Sequence, residues 1–76
     1  MNDERRKKLA TATRDLDNAK SVIEEVKGEE EESYENMPEG MQGGDKGEKA
    51  QAAIDALDEA INACDSALEY ISTATE

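Results

Sequence analysis

Three consecutive sevens close the chain: "IDALDEA", "INACDSA" and "LEYISTA", from Ile54 to Ala74, each opening on Ile or Leu and closing on Ala. Ile54, Leu57, Ile61, Cys64, Leu68 and Ile71 fall alternately three and four residues apart, the spacing that holds side chains on one stripe of an α-helix. Ala53, Ala60 and Ala67, joined by Ala56 and Ala63, widen that stripe to roughly half of the helix circumference. A surface this broad needs more cover than one narrow helical stripe supplies, and its alanine flanks permit close helix approach.

The first half of the chain offers the narrower stripe. Leu9, Ala12, Leu16, Ala19, Ile23 and Val26 repeat at 3-4-3-4-3 and define a seam of coiled-coil type. Asn2 or Asp3 suits the cap, and Asp3 and Glu4 suit the positive end of the helix dipole. Gly28 falls on the exposed side of this pattern, so the helix passes through it at a cost of about 1 kcal/mol relative to alanine. Pro38 disfavours helical geometry at Met37 and stops the helix. The expected elements are a first helix over about 3-36, a turn over about 37-46 and a second helix over about 47-74, forming one domain. In the turn, Gly40, Gly43 and Gly44 are expected to supply flexible or left-handed conformations, and Asp45 is expected to cap the second helix in a box with Glu48.

Folding back antiparallel brings the basic run Arg5, Arg6, Lys7 and Lys8 beside the end of the second helix, near Glu69 and Glu76. A single hairpin of 76 residues is under-built without a staple or a partner. The fold expected is therefore all-α, an antiparallel hairpin of two long helices, dimerising into a four-helix bundle. The residues assigned to the oligomer interface are Ala53, Ile54, Leu57, Ala60, Ile61, Cys64, Ala67, Leu68 and Ile71.

Composition closes off most chemistry. Cys64 is the only cysteine and histidine is absent, so neither a disulfide nor the usual zinc ligand set is available. Cys64 lies in the seam between Ile61 and Leu68 and reads as a small core residue. No nucleophile with a base to activate it and no phosphate-cradling loop is present. "GGDKGE" lacks the alternating oxygens of a calcium loop. The reading is a protein that is not an enzyme and takes no cofactor. The absence of a long apolar run argues against a membrane span or a secretory leader, and the expected location is the cytoplasm.

The net charge of -11 is unevenly placed: residues 1-27 carry seven Lys or Arg against six acids, residues 28-76 two against fourteen. Such a chain repels nucleic acid and anionic lipid and favours a basic partner. The acidic hairpin end supplies the partner-binding candidates Glu29, Glu30, Glu31, Glu32, Tyr34, Glu35, Met37, Glu39 and Met41, since aromatic and methionine side chains are favoured at contacts.

That same stretch, "YENMPEGMQGGDKGE", with Asn36-Met37-Pro38-Glu39, Gln42, Gly47 and Glu48 at its centre, resembles the turn of small acidic helical-hairpin proteins from phages, prophages and Gram-positive or gut bacteria. The likeness extends over most of the chain through the alanine-rich heptads that follow. Gly43-Gly44 departs from the serine and acidic residues common there, which implies a looser turn. The resemblance implies a mobile-element setting and supplies no activity. Two functions fit the residues: a phage-encoded inhibitor or counter-defence protein that engages a basic nucleic-acid-binding surface of a host protein by charge mimicry, or a homo-oligomeric structural protein whose acidity serves solubility.

Overall fold

The computed structural model describes residues 1-76 and contains three helices and no strand. α1 spans Asp3–Glu35, α2 Glu39–Gln42 and α3 Asp45–Ala74. α1 and α3 pack along their length into a rod of 58 × 15 × 13 Å. At 1.5 Å per residue the 33 residues of α1 extend about 50 Å, so the helices set the length of the whole molecule.

Helix ends follow local chemistry. Asn2 takes the cap of α1, its Oδ1 accepting the Arg5 N–H at 2.8 Å. Two expectations for the turn are corrected. Asp45 is not a cap: Gly44 occupies that position without a side-chain bond, and Asp45 is already helical, its charge lying in the first turn at the positive end of the dipole. Nor is any glycine left-handed, because the chain reverses through Pro38 and the extra helix α2 rather than through a tight turn.

α2, which the sequence reading passed over, organises the tip. The Pro38 carbonyl accepts the amides of Met41 and Gln42 at 2.8 and 3.1 Å. From the end of α2 the Gln42 side-chain amide donates to the Tyr34 carbonyl at 3.1 Å, a second donor beside the Met37 amide, which reaches the same oxygen at 3.1 Å. Gly47 is buried, and a Cβ there would overlap the Gln42 carbonyl and its backbone. The residues that carry the resemblance thus build the turn: Asn36 caps α1, Pro38 starts α2, Gln42 ties α2 back to α1, and Gly47 lets α3 pass against it.

Along the rod, each seam is described by positions a and d of a seven-residue repeat. On α3 the a row is Gly47, Ile54, Ile61 and Leu68, and the d row Ala50, Leu57, Cys64 and Ile71, all buried or half-buried. The second-helix seam therefore runs as its sequence indicates. On α1 the a row is Arg6, Thr13, Lys20, Lys27 and Tyr34, and the d row Leu9, Leu16, Ile23 and Glu30, again half-buried. Leu9, Leu16 and Ile23 match the expected seam; Ala12 is only partly covered, Ala19 is exposed, and Val26 is 43% exposed. α1 is rotated by about one seventh of a turn from the expected contact, with lysine stems in the seam where Ala19 and Val26 were expected. The core is correspondingly thin: Ala50 and Ile54 are its only buried apolar side chains, and neither is completely shielded from solvent.

Gly47→Ala is expected to destabilise the fold by about 1–3 kcal/mol through overpacking against Gln42. Gly28→Ala, where a Cβ meets nothing within 4 Å, should stabilise it by about 0.5–1 kcal/mol. Thermal unfolding followed by circular dichroism should shift in opposite directions for the two, at roughly 4–8 °C per kcal/mol for a chain of this size.

Candidate functional site

The two seam lysines decide which side of the hairpin carries charge. Lys20 Nζ lies 2.7 Å from Asp65 Oδ1 and Lys27 Nζ 2.6 Å from Asp58 Oδ1, ion pairs that bridge α1 and α3. Each lysine lays its aliphatic stem in the seam and carries its ammonium outward to the aspartate. The hydrogen bond to Asp65, assisted by its charge, raises the Lys20 pKa, and the hydrogen bond to Asp58 does the same for Lys27. Asp58 and Asp65 occupy position e of α3, so the e side of α3 lies beside the a row of α1. At the open end, Ala10 and Ser72, both in e rows, line one groove with Leu9 and Ile71; at the tip Glu31 and Gln51, again e rows, line another with Tyr34 and Ile54. The e rows of both helices therefore share one face, and the g rows share the opposite one.

This sorting divides the charge. The e face and its flanking b rows carry Asp17, Glu24, Glu31 and Glu35 from α1 and Glu48, Asp55, Asp58, Asp65 and Glu69 from α3, all exposed. Beyond the two seam lysines, the cations on this face are Lys7 and Arg14, toward the open end. On the opposite face α3 presents Ala53, Ala56, Ala60, Ala63, Ala67, Tyr70 and Ala74, spaced 3-4-3-4-3-4. That spacing is a second seam, parallel to the first and made almost wholly of alanine. Beside it α1 presents Ala12, Ala19, Val22 and Val26, with Val22 57% and Tyr70 75% exposed.

The sequence-derived candidates distribute across these features. Glu31 and Glu35 belong to the acidic face; Glu29 and Glu32 lie on the other side and the outer edge of α1; Glu30, Tyr34 and Met37 are half-buried along the helix contact; Glu39 and Met41 are exposed on α2. The interface candidates split in two. Ile54, Leu57, Ile61, Cys64, Leu68 and Ile71 are occupied by α1 within the hairpin, whereas Ala53, Ala60 and Ala67 form the inner, half-buried row of the alanine seam. The acids Asp17, Glu24, Asp55, Asp58, Asp65 and Glu69 were not among the candidates. Their signal was a seven-residue spacing within each row, legible only once the rotation of α1 was known.

The basic cluster lies beside the end of α3, and its contacts differ from those expected. Arg6 Nε donates to the Thr75 carbonyl at 3.2 Å, at the negative end of the α3 dipole. Its guanidinium also pairs with Asp3 at 3.6 Å, and Lys8 pairs with Glu4 at 3.9 Å. These bonds are local, and neither Glu69 nor Glu76 takes part in an ion pair. No three Cys, Asp or Glu side chains converge as a metal site would require, and no helix is long and apolar enough to cross a membrane.

Because the folded-state pKa values of Lys20 and Lys27 are raised above 10.5, the stability they contribute is fully present below that pH. It is lost as the pH rises through their folded values. Alkaline titration followed by circular dichroism should show a steeper loss of stability above pH 10.5 for the wild type than for Lys20→Met/Lys27→Met. The variant keeps both tyrosines, so the difference isolates the lysines.

No protein-family model, no curated protein and no solved structure matches the chain.

Proposed function

We propose that the protein is a non-enzymatic acidic binding module that engages a basic, nucleic-acid-binding surface of a partner protein in the cytoplasm of a bacterial host. The observation that carries this reading is the segregation of charge: Asp17, Glu24, Glu31, Glu35, Glu48, Asp55 and Glu69 share one face and none is in an ion pair. The nine acids of this face, of 20 in the chain, lie in the e and b rows, against two, Asp15 and Glu29, in the c and g rows of the opposite face, a bias that solubility alone does not require. Aligned acids raise the local potential and steer a cationic surface toward that side.

Magnitude limits what such a face can displace. The nine acids and four cations of this face leave a net charge of -5 along 58 Å, one charge per about 12 Å, against one per about 1.7 Å for duplex DNA. The protein is thus a sparse mimic, suited to compete with weakly held, non-specific nucleic acid. We further propose that the working body is a homodimer, two hairpins forming a four-helix bundle with their acidic faces outward. The rival reading is a structural homo-oligomer whose acidity serves solubility, and what favours it is that Asp58 and Asp65 are used to join α1 to α3.

Displacement of a fluorescent duplex from a basic, non-specific DNA-binding protein separates the two. Wild type should displace the duplex at moderate salt, with affinity falling as salt rises. Glu24→Lys/Glu31→Lys/Asp55→Lys should weaken displacement by about tenfold or more, as loss of about 1.4 kcal/mol requires. Equal displacement by wild type and variant, or none at physiological salt, would favour the structural reading.

A further inference from the structure

The groove at the tip of the acidic face is the one hollow of the rod whose charged lining is anionic, and we propose that it seats a single arginine side chain of the basic partner protein. Glu31, Tyr34 and Glu35 of α1 meet Gln51 and Ile54 of α3 around a cavity of about 240 Å³. The inference rests on the acidic-binding reading and adds where on the face the partner is anchored and by which residue type.

The lining is rich in acceptors and short of donors. Glu31 and Glu35 lie one turn apart on the same side of α1, where like charges repel, and neither takes part in an ion pair. The cations of this end are committed elsewhere. Lys27, one turn before Glu31, is held by Asp58 at 2.6 Å, and Lys46 and Lys49, in the g and c rows of α3, lie on the opposite face. Gln51 Nε2 donates to Asp55 Oδ1 at 3.2 Å, which places a third carboxylate beside the groove and leaves Gln51 Oε1 without a donor. The Tyr34 hydroxyl has no hydrogen-bond partner within the chain. Beneath these groups the floor is apolar, with Ile54 buried and Tyr34 half-buried.

Chemistry narrows the occupant. The carboxylates do not converge as a metal ion requires, so the guest is a cation with donors set apart from one another. The cavity is smaller than the roughly 300–1,000 Å³ of small-molecule sites, a size that suits one side chain rather than a free ligand. A lysine ammonium is a compact, strongly hydrated point charge that gains little from an aromatic and apolar floor. A guanidinium is planar and weakly hydrated, its five N–H donors match several spread acceptors, and its face stacks on an aromatic ring such as Tyr34. The other two grooves repel the same guest, since Arg6 lines one and Arg5 and Lys8 line the other.

Titration calorimetry with two probes, heptalysine and the same peptide with arginine at its centre, tests the site at constant probe charge. Wild type should bind the arginine peptide about fivefold or more tighter than heptalysine, with NMR shifts at Tyr34, Gln51 and Ile54 that heptalysine does not produce. Glu31→Gln/Glu35→Gln, at exposed positions and of unchanged size, should lose that preference while still binding heptalysine through the remaining acids. Tyr34→Leu, which keeps an apolar side chain in the seam, should lose it too, and the glutamine pair carries the test alone if this variant does not fold. Equal affinity of wild type for the two peptides, or a preference that the glutamine pair retains, would overturn the arginine site and leave the acidic-face reading standing. Failure of both peptides to bind wild type would overturn the acidic-face reading and this inference with it.

Discussion

Two lysines placed in a helix seam set the geometry on which everything else in this molecule depends. A seam lysine between antiparallel helices must find an acid on the neighbouring helix, and Lys20 and Lys27 find Asp65 and Asp58 at 2.7 and 2.6 Å. Their sequence numbers add to the same total in both pairs, so the two contacts describe one register. They also define sidedness, because the aspartates lie in the e row of α3. Once that row is turned toward α1, the remaining e and b acids share its face, and the alanine and valine rows fall on the other. Partly exposed pairs of this kind are individually weak contributors to stability; their larger consequence is orientation.

The tip is organised independently of the rod. Pro38, Gln42 and Gly47 make a compact corner in which a short helix closes the end of α1 by a side-chain bond and packs its backbone on α3. The most distinctive stretch of the sequence is thereby accounted for by architecture. Tyr34 and Met37 contribute to covering the hairpin end, leaving Met41 as the large apolar side chain most open to solvent there. The extended acidic face, running well back from this corner, is the surface on which the proposed binding rests.

Legibility in the sequence followed side-chain size and locality. The α3 seam was readable because Ile54, Leu57, Ile61, Leu68 and Ile71 are large and regularly spaced, and the Asn2 cap because it needs only three residues of context. The rotation of α1 was not readable by the same rule. Counting Lys20 and Lys27 as polar moves the seam to Ala12, Ala19 and Val26, whereas the lysine stems behave as apolar filler once an aspartate meets the ammonium. The second seam of α3 was visible as extra width, yet whether a row is width or a separate contact surface depends on where the first partner sits. The acidic face had the same dependence, since rows from two helices become one face only after the register is set. The turn glycines suggested left-handed backbone, but a proline-led helix took over that role.

A two-faced rod follows, rich in alanine on one broad side and in acids on the other. The most direct measurement of this account is a residue-resolved NMR titration in two steps. On dilution, the amide and methyl signals of Ala56, Ala60, Ala63, Ala67 and Val22 should shift while those near Asp17, Glu24 and Asp55 stay fixed. On adding poly-lysine to the undiluted protein the pattern should invert, with the acidic rows moving and the alanine seam still. Shifts that spread evenly over both faces in either step, or that appear on the same face in both, would contradict the division of the molecule on which the account rests.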